Sequence, residues 1–262
     1  MSHSAKARPL KLRLRLLYAI CLLCIALLLN GCRTQQHPVL TLSVAASLQD
    51  AITDVETEYR QEHGAVEFRN NFGSSGTLAR EIEQGAPEDA FLSAGEKPMN
   101  QLEKEGMLQP GTRMNFLRNS LVLIAPSGSS LQSFDQLAAV KLIALGDPAS
   151  VPAGNYGKQT LESLHLYDKL KLKIVLGKDV RQVLTYVETG NADAGLVYAT
   201  DAQTSTRVRV VAVAPDESHD PIVYPLAEIK GSHSDVAIRA FLAFLNSPKA
   251  RAIFERHGFK PV

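Results

Sequence analysis

The chain has 262 residues, 45% of them hydrophobic and 21% charged, with 28 Lys and Arg against 27 Asp and Glu. That balance excludes a disordered or low-complexity chain, and the length is enough to bury a core without disulfides. Once the N-terminal leader is set aside, no basic run or aromatic platform remains, which argues against nucleic-acid binding.

Met1 to Gly31 reads as that leader. Lys6, Arg8, Lys11, Arg13 and Arg15 precede an apolar run from Leu16 to Leu29. A basic segment, an apolar segment and a small-residue end are the parts of an export signal. The run is shorter than the ~20 residues that a membrane span needs. Of the three cysteines, Cys21 and Cys24 lie inside the run, so their C-x-x-C spacing carries no metal or redox meaning. Cys32 is left without a partner, and no disulfide is expected. Removal of the leader takes Lys and Arg from 28 to 23 against 27 Asp and Glu, a net charge of −4 with His neutral. The end of the segment, Leu29, Gly31 and Cys32, resembles a bacterial lipoprotein signal. That resemblance implies lipid on Cys32, a tether over residues 32–38, and a chain held at a membrane but soluble in its fold.

The mature chain then alternates strand and helix patterns. Val39 to Val44 is an apolar strand leading through Ala45-Ala46-Ser47 into an amphipathic helix from Leu48 to Glu62. Ala65 to Phe68 is the next strand. It runs through Gly73-Ser74-Ser75-Gly76 into a helix over Ser75 to Gln84. Asp89 to Ser93 is a strand and Met99 to Glu105 a helix. This order signals a parallel sheet with helices on its faces. After the strand Leu121 to Ala125 the pattern restarts, with strands at Leu142 to Leu145, Lys173 to Leu176, Ala194 to Tyr198 and Arg207 to Val213. Helices at Asn155 to Leu164 and Val180 to Glu188 alternate with them. Ile222 to Ile229 is a strand interrupted by Pro225. Two helices close the chain, one from near Ser234 with Val236, Ile238, Phe241, Leu242 and Leu245 as its apolar face, the other from the cap Ser247-Pro248. Two runs of β/α units suggest two lobes, with the segment after Ile222 returning to the first.

Ligands of open α/β sheets bind where strands lead into helix starts. Four loops are therefore candidates: Ala45-Ala46-Ser47-Leu48, Gly73-Ser74-Ser75-Gly76, Val151-Pro152-Ala153-Gly154, and Gly177-Lys178-Asp179-Val180-Arg181. Each delivers backbone N–H groups at a helix start, and such groups hold anions. The first two add serine hydroxyls. Tyr198, ending an apolar strand, can offer a phenol. None supplies the His, Cys and carboxylate cluster of a tight transition-metal cation site.

These loops carry a resemblance. Val44-Ala45-Ala46-Ser47-Leu48, Phe72-Gly73-Ser74-Ser75-Gly76-Thr77-Leu78-Ala79, Gly85-Ala86-Pro87-Glu88-Asp89, Gly146-Asp147-Pro148 through Gly154, Asp179-Val180-Arg181 and Gly195-Leu196-Val197-Tyr198, in this order and spacing, resemble the molybdate-binding proteins of bacterial ABC importers. The resemblance covers residues 39 to 260. It implies the class II periplasmic-binding-protein fold, two α/β lobes with a ligand cleft between them. Lobe 1 would hold residues 39–119 plus 225–262 and lobe 2 residues 120–224, with crossings near Asn119–Leu121 and Tyr224–Leu226. It further implies ligand contacts from the hydroxyl and N–H of Ser47 and Ser75, the N–H of Ala153 and Val180, and the phenol of Tyr198. The chain departs from the family at Gly95, where an Asp is usual, a position outside the contact set.

The expected function is binding of molybdate, and of tungstate with it, in the periplasm or cell envelope, and delivery to an ABC permease. No cofactor, no catalysis and a monomer are expected. The carried-over contacts are all donors, which suits an oxyanion with no proton to give. Two other readings stand beside it. One is a binding protein for sulfate, phosphate or a small organic acid. The other is a serine-dependent hydrolase, opposed by the G-S-S-G spacing and by the absence of a His in a comparable loop, since His165, His219 and His257 lie near helix ends or in a polar loop.

Overall fold

The computed structural model describes Tyr18, residues 37–232 and residues 234–262. The rest of the leader, Cys32 and most of the tether lie outside the described residues. Pro38–Val262 forms one compact unit. Among the described residues no helix is long and apolar enough to cross a membrane.

The unit is built on two sheets. In the first half of the chain, β1 (Val39–Ala45), β2 (Glu67–Gly73) and β3 (Ala90–Leu92) run parallel. They are joined by α1 (Gln49–His63) and α2 (Ser75–Glu83), and α3 (Glu96–Lys104) follows β3. Next come β4 (Met114–Arg118) and β5 (Leu121–Pro126), then β6 (Ile143–Gly146), α4 (Pro152–Ser163), α5 (Tyr167–Leu170), β7 (Ile174–Gly177), α6 (Val180–Glu188), β8 (Ala194–Tyr198), α7 (Ala199–Gln203) and β9 (Val208–Val213). The chain closes with β10 (Val223–Glu228), α8 (Asp235–Leu245), α9 (Pro248–Arg256) and β11 (Lys260–Pro261). The six-stranded sheet has the order β11-β4-β10-β3-β1-β2, and the five-stranded sheet β7-β6-β8-β5-β9. The chain passes between sheets twice, from β4 to β5 through Asn119 and Ser120 and from β9 back to β10. β10 lies antiparallel between β3 and β4, which is the expected return to the first half.

Central strands carry the core. Leu40, Leu42 and Val44 of β1 are fully buried, as are Leu121, Leu123 and Ile124 of β5. Each such side chain contributes ~1.5–3 kcal/mol when removed from water. Helix starts follow their caps. Ser74 accepts from the Thr77 N–H and precedes α2, Asp179 accepts from Gln182 N–H at 2.8 Å and precedes α6, and Ser247 caps α9 with Pro248 at its first position.

Several boundaries differ from the sequence expectation. β2 spans Glu67–Gly73 rather than Ala65 to Phe68, so the polar run Asn70-Asn71 is strand and not loop. It sits at the sheet edge, pairing with β1 on one side, and its two Asn side chains donate to Glu56 and Glu81, each at 2.7 Å. α4 starts at Pro152 rather than Asn155, and α3 at Glu96 rather than Met99. Val236 is 85% exposed and belongs to the outer face of α8; Phe244 takes its place among the buried residues, 5.2 Å from the Tyr59 ring centroid. Pro225 does interrupt β10, as a register shift after Tyr224.

Candidate functional site

β1 and β2 are parallel, as are β6, β7 and β8, so the loops at their carboxyl ends collect at one edge of each sheet. The two edges meet. A cavity of about 10 Å³ is lined by Ser47, Ser75, Ala153, Val180 and Tyr198, with Ala94, Ser74 and Asp179 among the eight other residues around it. All five are at most 4% exposed. Ser47 lies in a short 3-10 turn ahead of α1, Ser75 is the first residue of α2, Ala153 the second of α4 and Val180 the first of α6. Tyr198 is the last residue of β8. The structure thus brings together every residue singled out from the loops.

Backbone N–H groups in the first turn of a helix have no acceptor within the helix. In α6 the Asp179 cap takes the Gln182 N–H, which leaves Val180 and Arg181 ahead of it. In α4 the first position is a proline and no side chain caps the helix, so Ala153 supplies its first N–H. The first turn of α4 reaches the end of β6 because residue 154 is glycine: a Cβ there would lie 1.9 Å from the Gly146 carbonyl oxygen. In α2 the Gly76 N–H crosses to the Ser150 carbonyl, 2.9 Å away, tying the two edges together beside Ser75.

The hydroxyls are held by partners that loop-by-loop reading did not find. Ser75 Oγ accepts from the Ala94 N–H at 2.9 Å, and Tyr198 Oη donates to the Ala94 carbonyl at 3.0 Å. Ser47 Oγ lies 3.0 Å from Tyr224 Oη, and Tyr224 Oη accepts from Asn119 Nδ2 at 3.1 Å. The signal for Ala94 was the strand end after Phe91-Leu92-Ser93, a further strand-to-helix loop. Burial pushes both phenols, Tyr198 and Tyr224, well above their ordinary range, so both keep their protons.

Asp179, which caps α6, is the one charged residue among those lining the cavity. Arg181, next to Val180, does not line the cavity. Its guanidinium bridges the halves, 2.7 Å from Asp50 Oδ2 on α1 and 2.7 Å from Asp201 Oδ1 on α7. Burial pushes the Asp201 carboxyl up to about 7 against the opposing pull of Arg181. A second cavity, about 390 Å³, shares Val151 and Pro152 with the first. It is lined by the first turns of α2, α3 and α4 and by charges of both signs, Arg80, Lys97, Glu96 and Asp220, so carboxylates stand among its helix starts. His257 pairs with Asp54 at 2.8 Å, and His219 contacts the Asp220 carbonyl at 2.7 Å; neither lines the small cavity. Among the described residues no group of three or more His, Cys, Asp or Glu is arranged to hold a metal ion.

The family model described as bacterial extracellular solute-binding protein matches residues 40–260. The chain belongs to that family. Among the relatives of this solute-binding protein is a Bacillus subtilis (strain 168) protein provisionally named ABC transporter substrate-binding lipoprotein YvgL, 44% identical over 89% of this chain and 93% of the relative. The molybdate-binding protein ModA of Escherichia coli (strain K12) is 40% identical over 84% of this chain and 88% of that protein. The solved periplasmic molybdate-binding protein of Azotobacter vinelandii matches with a TM-score of 0.77 at 25% identity, over 84% of this chain and 98% of that one. The solute-binding protein accordingly has the class II periplasmic-binding-protein fold that its two sheets and double crossing describe, and the family is one of binders.

Proposed function

We propose that this chain binds molybdate, and tungstate with it, outside the cytoplasmic membrane and delivers it to an ABC importer, with Ser47, Ser75, Ala153, Val180 and Tyr198 as the oxyanion contacts. The observation that carries the reading is the convergence of five uncharged donor positions from both sheets on one buried cavity. Relatives at 40% and 41% identity that are named molybdate-binding protein support the choice of oxyanion.

A tetrahedral dianion with no proton can only accept hydrogen bonds, which the Ser47 and Ser75 hydroxyls and the helix-start N–H groups supply; the Tyr198 phenol joins them by turning its proton from the Ala94 carbonyl to the ligand. Bonds to a charged group are worth ~1.5–3 kcal/mol net each, and helix starts add ~0.3–1 kcal/mol each. Five to seven such bonds amount to roughly 8–20 kcal/mol, against a cost of ~4 kcal/mol or more for lost freedom. The remainder reaches the micromolar to nanomolar range, about −8 to −12 kcal/mol. Selectivity against sulfate follows from size, since donors set for a larger sphere cannot all reach a smaller anion.

The two sheets mark two lobes in this reading, residues 39–119 with 225–262 and residues 120–224, which close on the ligand. Cys32 carries the lipid that tethers a monomer to the cell envelope. Calorimetry with molybdate, tungstate, sulfate and phosphate tests the assignment. Tight binding of the first two with at least hundredfold weaker sulfate and phosphate is expected. Preference for sulfate or phosphate would replace molybdate as the ligand, and no heat with any of the four would remove the oxyanion reading.

A further inference from the structure

The contact set leaves one chemical question open. A serine hydroxyl can present either its proton or a lone pair to a ligand. Only the first helps a fully deprotonated oxyanion; the second would welcome an anion that carries a proton of its own. Which face Ser47 presents is decided by what lies behind it, and that is a buried chain of hydrogen bonds with a direction.

The chain starts at the segment between β4 and β5. The Ser120 N–H donates to Asn119 Oδ1 at 2.9 Å, which fixes the orientation of that amide, because a flipped amide would set NH2 against N–H. Asn119 Nδ2 must then donate, and it does so twice, to Thr200 Oγ1 at 2.9 Å and to Tyr224 Oη at 3.1 Å. Tyr224 is fully buried, and its phenol proton needs an acceptor. Ser47 Oγ, at 3.0 Å, is the one in reach among the described residues. If Ser47 instead donated to Tyr224, the phenol proton would be left unpaired inside the protein, the more costly arrangement. The direction is therefore Ser120 to Asn119 to Tyr224 to Ser47, and the Ser47 proton is turned outward to the cavity. Ser75 is set the same way by the Ala94 N–H.

We propose that Asn119 and Tyr224 are positioning and specificity-determining residues: they force Ser47 to act as a donor, so that the site rejects oxyanions bearing an O–H. The inference rests on the oxyanion reading of the cavity. It assigns discrimination against hydrogen phosphate and hydrogen arsenate to a relay behind the contacts, separate from the size selection that excludes sulfate.

The test is Tyr224→Phe, which keeps the ring and removes the proton that reaches Ser47. Affinities for molybdate, sulfate and hydrogen phosphate are measured by direct and displacement calorimetry at pH 7.5, with a thermal melt of each variant. With the relay cut, Ser47 can turn a lone pair to the ligand, and the molybdate-to-phosphate affinity ratio should narrow by about tenfold or more. The molybdate-to-sulfate ratio should hold within about twofold, since neither anion has a proton to give. Asn119→Asp provides the second variant: a carboxylate accepts from Tyr224, draws its proton away from Ser47, and should reproduce the narrowing. Equal weakening of all three anions by Tyr224→Phe would reduce Tyr224 to a structural role and overturn the relay. A parent chain that binds molybdate while Tyr224→Phe leaves both ratios unchanged would do the same and leave the site intact; a parent that binds no oxyanion would overturn the site reading and the relay together.

Discussion

Gly76 is the residue at which a single methyl group should separate binding from folding. It is the second residue of α2, and its N–H donates to the Ser150 carbonyl across the meeting of the two sheets at 2.9 Å. A Cβ built on it falls 2.5 Å from the Ser150 oxygen and 2.9 Å from Ser150 Cα. Both are backbone atoms and cannot swing aside. Restoring ordinary contact near 3.4 Å requires the halves to part by roughly 0.9 Å at this point. Donors placed at ~2.7–3.2 Å from an anion oxygen would then stand beyond ~3.5 Å on one side, where hydrogen bonds are lost. Two such bonds at ~1.5–3 kcal/mol each correspond to a loss of about a hundredfold or more in molybdate affinity. Alanine is meanwhile the better helix former by ~1 kcal/mol, so α2 itself should not suffer. Gly76→Ala is therefore expected to melt within a few degrees of the parent without ligand, yet bind molybdate at least a hundredfold more weakly by calorimetry. Binding within about threefold of the parent would show that the Gly76–Ser150 approach is no part of the liganded state and would refute the closure argument.

Three further outcomes follow from the same geometry. Ser75→Ala should weaken molybdate binding tenfold or more and also lower stability by ~1–3 kcal/mol, because the buried Ala94 N–H loses its acceptor; unchanged melting would mean that Ala94 has found another partner, and unchanged binding would remove Ser75 from the site. Asp201, raised from 3.8 to about 7 by burial, holds a proton in the folded chain that the unfolded chain has lost between those values, so its contribution to stability declines as pH rises through that window. The melting temperature of Asp201→Asn minus that of the parent should thus grow by about 4 °C or more between pH 5 and pH 8, and a constant difference would contradict the raised carboxyl. Asp50→Asn cuts a half-exposed tie between Arg181 and α1, worth ~0.2–1 kcal/mol; ligand release measured by stopped flow should quicken about twofold to fivefold, and an equal rate at low salt would deny the tie a part in closure.

α6 and β8 were placed to the residue because their ends are chemical: Asp179 caps the helix, and Tyr198 ends an unbroken apolar run. β4, β11 and α5 carry no sequence signal because they are short and their burial is irregular; Met114 and Asn115 are exposed while Phe116 and Leu117 are buried. β2 was cut short because a polar run looks like a loop unless its pairing is known, and the pairing with β1 joins residues about thirty positions apart. The site divides the same way. The five residues proposed as contacts sit in strand-to-helix loops, which topology points to, and the choice of positions within those loops follows the family resemblance. The groups that orient those contacts are not local: Tyr224 lies 177 positions from Ser47 and 105 from Asn119. No pattern in either neighbourhood announces that three side chains share one line of protons.

That division has a physical cause. Parallel β/α units place every helix start at the carboxyl edge of the sheet, so α2, α4 and α6 point their positive ends at one spot as a consequence of topology. Affinity for an anion is thus close to automatic in this fold, and a formal positive charge is unnecessary; the one on Arg181, beside Val180, is taken up by Asp50 and Asp201. The choice among anions is not automatic. Backbone N–H groups give the same invitation to sulfate, molybdate and hydrogen phosphate, because a donor cannot sense whether the far side of its acceptor carries a proton. Hydroxyls can sense it, but only if their rotation is stopped. In this chain both serines have their oxygens engaged from behind, by the Ala94 N–H and by Tyr224, so the selective part of the site is its buried backing and the attractive part is its rim. Substitutions at the rim should therefore move all affinities together, and substitutions in the backing should move them apart.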